Sequence, residues 1–164
     1  MEIKNFEIGP YKFINYTDLP EALLKEIYHI RISEQIRVHM DNQDLFSYDE
    51  HLKFADSLKG AESKIYWAVC KENHFILSIS IHPVCWKEKW GEWGIYTNPQ
   101  FSGKGFSKEI SNLFFKYLAE NSEIETIKVR IKPNNLNSFY FCESIGFEKI
   151  SEDGLSIYME KSVK

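Results

Sequence analysis

Gln100-Phe101-Ser102-Gly103-Lys104-Gly105 stands at a junction. Residues 92–97 before it read as a strand. The run from Phe106 to Asn121 after it reads as a helix with Ile110, Leu113, Phe114, Tyr117 and Leu118 on one apolar stripe. A glycine-rich turn entering a helix leaves several backbone N–H groups without intrahelical partners, all directed at one point, and that point favours an anion. Gly103 and Gly105 have no Cβ, so the backbone there can take φ > 0 and approach a pyrophosphate closely. Lys104 and the helix dipole add positive potential, and the hydroxyls of Ser102 and Ser107 can donate. Each contribution at an exposed helix end is about 0.3–1 kcal/mol, so an anion needs several together. The loop lacks the GKS/T ending of a P-loop and the three spaced glycines of a dinucleotide fingerprint. Taken alone, its two glycines serve equally well as a tight strand-to-helix turn.

Downstream, Ile127, Val129 and Ile131 alternate with Lys128, Arg130 and Lys132 until Pro133 ends the strand. Asn135 to Ile145 reads as a short helix closed by Gly146, and Glu152-Asp153-Gly154 as a turn between two final strands. Upstream, residues 10–16 form a first strand, and Thr17/Asp18 are placed to cap a helix in which Leu23, Leu24, Ile27 and Ile30 recur at helical spacing until Ser33. Ser47-Tyr48-Asp49-Glu50 has the capping-box pattern and opens a second helix carrying Leu52, Ala55 and Leu58 up to Gly60. Ile65, Trp67 and Val69 alternate as a strand, residues 71–74 turn the chain, and Phe75 to Ile81 return as a hairpin before a loop containing Pro83. The predicted order is β-α-α-β-β-β-α-β-α-β-β. No repeat or Pro/Gly/Ser linker divides it, so residues 1–164 read as a single domain.

The 164 residues are 43% hydrophobic and 27% charged, ordinary values for a globular domain. Cys70, Cys85 and Cys142 form no CxxC pair and lie near no His cluster, so no metal site is expected and a reducing compartment fits. No stretch approaches the roughly 20 apolar residues that span a bilayer, and Met1-Glu2-Ile3-Lys4-Asn5 does not open a signal peptide; a cytoplasmic protein without a membrane partner is expected. A net charge of -4 argues against a nucleic-acid partner, which would call for a basic face.

Set in this order of elements, the sequence resembles the GNAT acetyltransferase superfamily, whose central motif Gln/Arg-x-x-Gly-x-Gly/Ala follows its fourth strand. The match is Gln100-x-x-Gly103-x-Gly105. A second motif is met by Asn135, Ser138 and Gly146-Phe147. The resemblance implies an α/β fold with a mixed, mostly antiparallel sheet of about seven strands, splayed between the fourth and fifth, and about four helices. It implies acetyl-CoA as co-substrate, with the pantetheine arm pairing to backbone near Tyr96 and Thr97 in the splay. The cofactor site would then comprise Gln100, Phe101, Ser102, Gly103, Lys104, Gly105, Phe106 and Ser107, joined by Asn135, Ser138 and Phe141.

The implied reaction is direct attack of an amine on the thioester, through a tetrahedral oxyanion held by a backbone N–H of the fourth strand. Family members commonly place an acidic tyrosine four residues before the glycine of the Gly-Phe pair; here that position is Cys142. Tyr140, two helical residues earlier, points about 200° away. Three readings stand. Cys142 is the acid, a thiol of pKa about 8.5 matching another thiol; or water or the protonation equilibrium of CoA suffices and Cys142 is a small buried side chain; or an acetyl-cysteine forms, for which no Cys/His spacing supplies a base. Glu92, in Gly91-Glu92-Trp93-Gly94, is the candidate general base, with a solvated strand-edge glutamate as the plain alternative.

Arg31, Met40, His51 and Phe54, with Gly94-Ile95-Tyr96 and Asn98-Pro99, resemble residues of the nucleotide-sugar N-acetyltransferases of the pseudaminic acid pathway, which acetylate the 4-amino group of a UDP-linked deoxy sugar. In that reading Arg31 pairs with the diphosphate, Phe54 stacks on uracil or packs the sugar, and His51 donates a hydrogen bond. The ordinary readings are an Arg31 that caps its helix, a core Phe54 and a gap-filling Met40. Asp41 and His82-Pro83 depart from these relatives, which points to a different sugar. The alternatives are acetylation of a protein N-terminus, a small-molecule amine or a polyamine, the last met by Asp41, Asp44, Asp49 and Glu50, and an inactive CoA-binding module. Monomer and homodimer are both open.

Overall fold

The computed structural model of the chain describes residues 4–164. One sheet takes in eight strands: β1 (Phe6–Ile8), β2 (Tyr11–Asn15), β3 (Ile65–Lys71), β4 (His74–Cys85), β5 (Trp90–Thr97), β6 (Thr126–Ile131), β7 (Glu148–Glu152) and β8 (Ile157–Ser162). Five α-helices accompany it: α1 (Glu21–Ile32), α2 (Glu34–Arg37), α3 (Tyr48–Ser57), α4 (Phe106–Asn121) and α5 (Leu136–Ser144). The strand order is β1-β2-β3-β4-β5-β6-β8-β7, antiparallel except where β5 meets β6. No helix among the described residues is long and apolar enough to cross a membrane, and none of their His, Cys, Asp and Glu side chains group as a metal site.

The order predicted from sequence holds, with one strand and one helix more. β1 has three residues, too few for alternation to show, and turns back on β2 at Gly9, whose φ is +55°. Tertiary stacking fixes it: the Phe6 ring lies 4.4 Å from Phe13 and 3.7 Å from Tyr117. α2 is a single turn after Ser33, whose extended backbone (ψ 144°) breaks the helix that would otherwise run on. Thr17 and Asp18 do not cap α1. They lie in a 3₁₀ turn capped by Asn15, and α1 begins behind Pro20 with no side-chain cap. The capping box of α3 is present: Glu50 N donates to Ser47 Oγ at 3.2 Å, and Ser47 N to Glu50 Oε2 at 2.7 Å. Pro83 does not end the third of the predicted strands; it sits in an irregularity between Ile81 and Val84, and β4 continues to Cys85.

Two apolar layers cover the sheet. On one side Phe13, Trp67 and Trp93 of the sheet cluster with Phe114 of α4 and with Phe147; on the other Ala68 and Phe75 cluster with Ile27 of α1 and Leu58 at the end of α3. Each fully buried large side chain contributes about 1.5–3 kcal/mol, so these layers hold the strands rigidly. The consequence for function lies at β5. It pairs with β6 only at Trp90↔Thr126, Gly91↔Ile127 and Glu92↔Lys128. From Trp93 to Thr97 the two strands part, which is the splay expected between these two strands. One edge of β5 is thereby free in the middle of the sheet.

Candidate active site

Asn98, 4% exposed, anchors the loop that follows β5. Its Nδ2 donates to the Phe75 carbonyl at 2.9 Å, its backbone N to that of Ile76 at 2.8 Å, and its Oδ1 accepts from Gln100 N at 3.2 Å. The sequence pattern flagged Asn98 without giving it this role. Pro99–Phe101 then make a 3₁₀ turn. Gly103 and Gly105 adopt φ of +72° and +84°, and the space a Cβ would enter at either is open. No side chain caps α4, because Gly105 occupies its N-cap. The result is an uncapped helix N-terminus behind a bare backbone cradle, with Lys104 alongside, its Nζ 5.5 Å from the Phe101 ring. That donor set and that open space fit a pyrophosphate. Thr97 Oγ1 and Ser107 Oγ share a hydrogen bond of 2.7 Å, which fastens the free end of β5 to the first turn of α4; Phe106 meets Phe101 edge to face at 5.8 Å.

The second motif has a visible structural role. Asn135 Oδ1 accepts from Ser138 N at 3.3 Å and caps α5, while Phe141 stacks on Trp93 at 6.4 Å. Cys142 lies beside Phe141 in sequence and 4% exposed in the core, where burial pushes its thiol up to about 12. It does not line the cavity described next, and Tyr140 is 61% exposed.

Glu92, Gly94 and Tyr96 alternate along β5 and share the face opposite Trp93. Above that face lies a cavity of about 460 Å³. The structure gathers Arg31, Met40, His51 and Phe54 there, from α1, the α2–α3 loop and α3, together with Tyr96. Its floor is a hydroxyl cluster: Tyr16 OH shares hydrogen bonds with Ser78 Oγ at 2.7 Å and with Tyr96 OH at 3.1 Å. Burial raises both phenols, so both stay protonated at neutral pH. Neither Tyr16 nor Ser78 stood out in the sequence, because their approach depends on the packing of the 3₁₀ turn before α1 against β4, 62 residues away.

Arg31 is the cation of this cavity. Its Nη2 donates to the Asn42 carbonyl at 3.2 Å, its guanidinium lies 5.6 Å from the Phe46 ring, and its Nη1 has no partner among the described residues. His51 is 3% exposed. Burial lowers its pKa, a backbone hydrogen bond to Leu24 opposes that, and Arg31 lowers it further, so the ring is neutral. Its Nε2 is buried without a partner; with the other nitrogen turned to backbone, Nε2 presents a lone pair. In that form Nε2 can accept a hydrogen bond and cannot donate one, whereas the sequence reading assigned His51 a donor role.

The acidic cleft that a polyamine would want does not assemble. Of Asp41, Asp44, Asp49 and Glu50, only Glu50 lines the cavity, and its carboxylate is engaged in the capping box. Asp41 pairs with Arg130 instead. Glu92, at the last β5–β6 pair, stands 3.7 Å from Arg130 Nη2.

Comparison with known proteins completes the picture. Residues 18–148 match the family model described as acetyltransferase (GNAT) domain. Acetyltransferase PseH of Campylobacter jejuni strain 81-176 is 26% identical over 142 residues, 87% of either chain. A crystal structure of Campylobacter jejuni N-acetyltransferase PseH in complex with acetyl coenzyme A superposes with a TM-score of 0.75 at 24% identity, over 93% of this chain and 98% of that one. Spermidine N-acetyltransferase from Vibrio cholerae, in complex with CoA and spermine, superposes with a TM-score of 0.83 at 15% identity, over 93% of this chain and 95% of the other. Those structural likenesses show the fold. The family match takes in the glycine loop, the splayed strands and all of the cavity's lining but Tyr16: this chain belongs to the GNAT acetyltransferase family.

Proposed function

We propose that this acetyltransferase transfers the acetyl group of acetyl-CoA to the 4-amino group of a UDP-linked deoxy amino sugar, of the kind used in pseudaminic acid biosynthesis. The observation that carries the acceptor is the polarity of the cavity: one half-buried cation, Arg31, a neutral His51, the hydroxyls of Tyr16, Tyr66, Ser78, Ser80 and Tyr96, and no uncommitted carboxylate. Such a lining suits a diphosphate-linked polyol and repels nothing in it, whereas a polycation would meet Arg31 unscreened. The relationship to acetyltransferase PseH supports the same reading.

The acetyl donor sits with its pyrophosphate on residues 101–107 and its pantetheine arm along the free edge of β5, at Tyr96 and Thr97. The amine comes from the cavity face, gives a proton to Glu92 directly or through water, and attacks the thioester carbonyl. A backbone N–H of β5, unpaired where the strands part, holds the oxyanion. Of the three readings of Cys142, packing is the one its burial supports. Proton transfer from a thiol near 12 to a thiolate of ordinary pKa near 8.5 is uphill by roughly 5 kcal/mol. A nucleophilic thiolate there is more remote still. Water then protonates the departing CoA.

The decisive experiment measures thiol release from acetyl-CoA with a UDP-4-amino-4-deoxy sugar and with spermidine. Turnover with the sugar alone is expected. Turnover with spermidine alone overturns the acceptor assignment, and turnover with neither, across an amine panel, favours a binding module without catalysis.

A further inference from the structure

Three of the four tryptophans donate their indole N–H to an identifiable acceptor. Trp67 donates to the Lys4 carbonyl at 3.3 Å, Trp86 to the Glu62 carbonyl at 2.8 Å, and Trp90 to the Glu88 carboxylate at 2.9 Å. Trp93 differs. Its residue is 5% exposed, and its Nε1 is buried without a hydrogen-bond partner among the described residues. A buried donor lacking an acceptor is destabilising, and native exceptions mark places where another group completes the bond.

The position of Trp93 indicates which group. Glu92 is the last β5 residue paired with β6, so Trp93 is the first side chain above the fork. Its ring is held on three sides: stacked on Phe147 at 5.7 Å and on Phe141 at 6.4 Å, and edge-on to Phe115 at 5.3 Å. It faces the α4/α5 side of β5, whereas Gly94 and Tyr96 line the acceptor cavity and Glu92, on the same face of the strand, lies outside that lining. An amine attacking a thioester from the cavity side drives the sulfur away from itself, toward the side Trp93 occupies. Cys142 of α5 lies in the same apolar cluster and offers only a thiol, a weak donor.

We propose that Trp93 is a catalytic residue whose indole N–H donates a hydrogen bond to the thioester sulfur and strengthens that bond as the sulfur departs as thiolate. The inference rests on acetyl-CoA being the donor. In the step, the nitrogen lone pair forms the C–N bond and the C–S bond breaks with its pair on sulfur. The proton lost by nitrogen goes to Glu92 or water, and the thiolate takes one from solvent. The indole keeps its proton throughout; it lowers the barrier by meeting charge that develops only in the transition state.

The test uses ¹⁵N-labelled full-length protein, with Trp93→Phe identifying the Trp93 indole resonance. CoA should shift that resonance downfield and desulfo-CoA should not, while the Gly103 and Gly105 amides respond to both. Glycine amides that move while the indole responds equally to both ligands, or to neither, overturn the proposal and leave the donor assignment standing. Glycine amides that ignore CoA overturn both. Kinetically, Trp93→Phe should lower kcat by about tenfold or more, the loss of one charge-assisted hydrogen bond, with KM for acetyl-CoA within about twofold. A folded Trp93→Phe protein with unchanged kcat refutes the role.

Discussion

Arg130 Nη2 lies 2.9 Å from Asp41 Oδ2, which fastens the loop between α2 and α3 to strand β6. Lys132 Nζ reinforces the link by donating to the Met40 carbonyl at 3.0 Å. The loop carries Met40 and Asn42 into the cavity above β5, and β6 bounds the gap on its far side, so this contact couples the two halves of the candidate site. Exposed ion pairs are worth about 0.2–1 kcal/mol. Asp41→Asn should therefore raise KM for the amine by about twofold to fivefold with KM for acetyl-CoA unchanged. High salt should raise KM for the amine by a larger factor in the wild type than in the variant, which has already lost this pair, as steady-state kinetics at two ionic strengths will show.

Replacing Glu92 by Gln keeps its shape and removes its basicity. If it takes the amine proton, kcat falls by about 10²–10⁴ with little change in either KM. The measurement is initial rates with acetyl-CoA and the accepted amine. A kcat within a few-fold of wild type assigns Glu92 to the Arg130 contact alone.

Gly103→Asp places a carboxylate on the open cradle. The position has room for the side chain but a φ of +72°, so the fold loses about 1–2 kcal/mol and survives. Acetyl-CoA binding should be lost in calorimetric titration, while thermal unfolding shows a modest drop. Binding of CoA at wild-type affinity by this variant refutes the placement of the pyrophosphate.

Cys142 should behave as an inert core residue. Burial pushes Cys142 up to about 12 and Cys70 up to about 11, while Cys85 is only partly buried. Alkylation of the folded protein at pH 8 should label Cys85 first, by mass spectrometry. Cys142→Ala should leave the alkaline limb of kcat in place, whereas Cys142→Tyr should overpack the cluster and lower stability by about 1–3 kcal/mol.

His51 ties stability to pH. Its folded pKa is lowered, chiefly by burial, so as pH falls past the unfolded value near 6.5 the unfolded chain binds the proton first. The contribution of the neutral ring is fully present above pH 6.5 and is lost as pH falls through the folded pKa, at no more than about 1.4 kcal/mol per pH unit. Urea titrations at pH 7.5 and pH 5.5 should show a larger loss for wild type than for His51→Gln.

Much of this protein was legible along the chain because its signals are local. Gly103 and Gly105 need backbone freedom, Asn135 and Ser47 cap the helices that follow them, and the α4 stripe repeats every turn; each is settled within a few residues. The resemblance singled out Arg31, Met40, His51 and Phe54, and these four line one cavity. What was misread is non-local. β1 exists because Phe6 stacks on residues far along the chain, and Thr17/Asp18 lose their cap to Asn15.

The sequence by itself determined the glycine loop, the order of elements and the family, since turn chemistry and periodicity act over one turn of helix or one pleat. Only the tertiary structure decided what the loop's neighbours do. Packing sealed Cys142 in the core, fixed His51 as a neutral acceptor, committed Glu50 to a cap and Asp41 to Arg130, and left the Trp93 N–H bare at the fork. Desolvation and hydrogen-bond satisfaction depend on every element around a group, so no stretch of chain carries them alone.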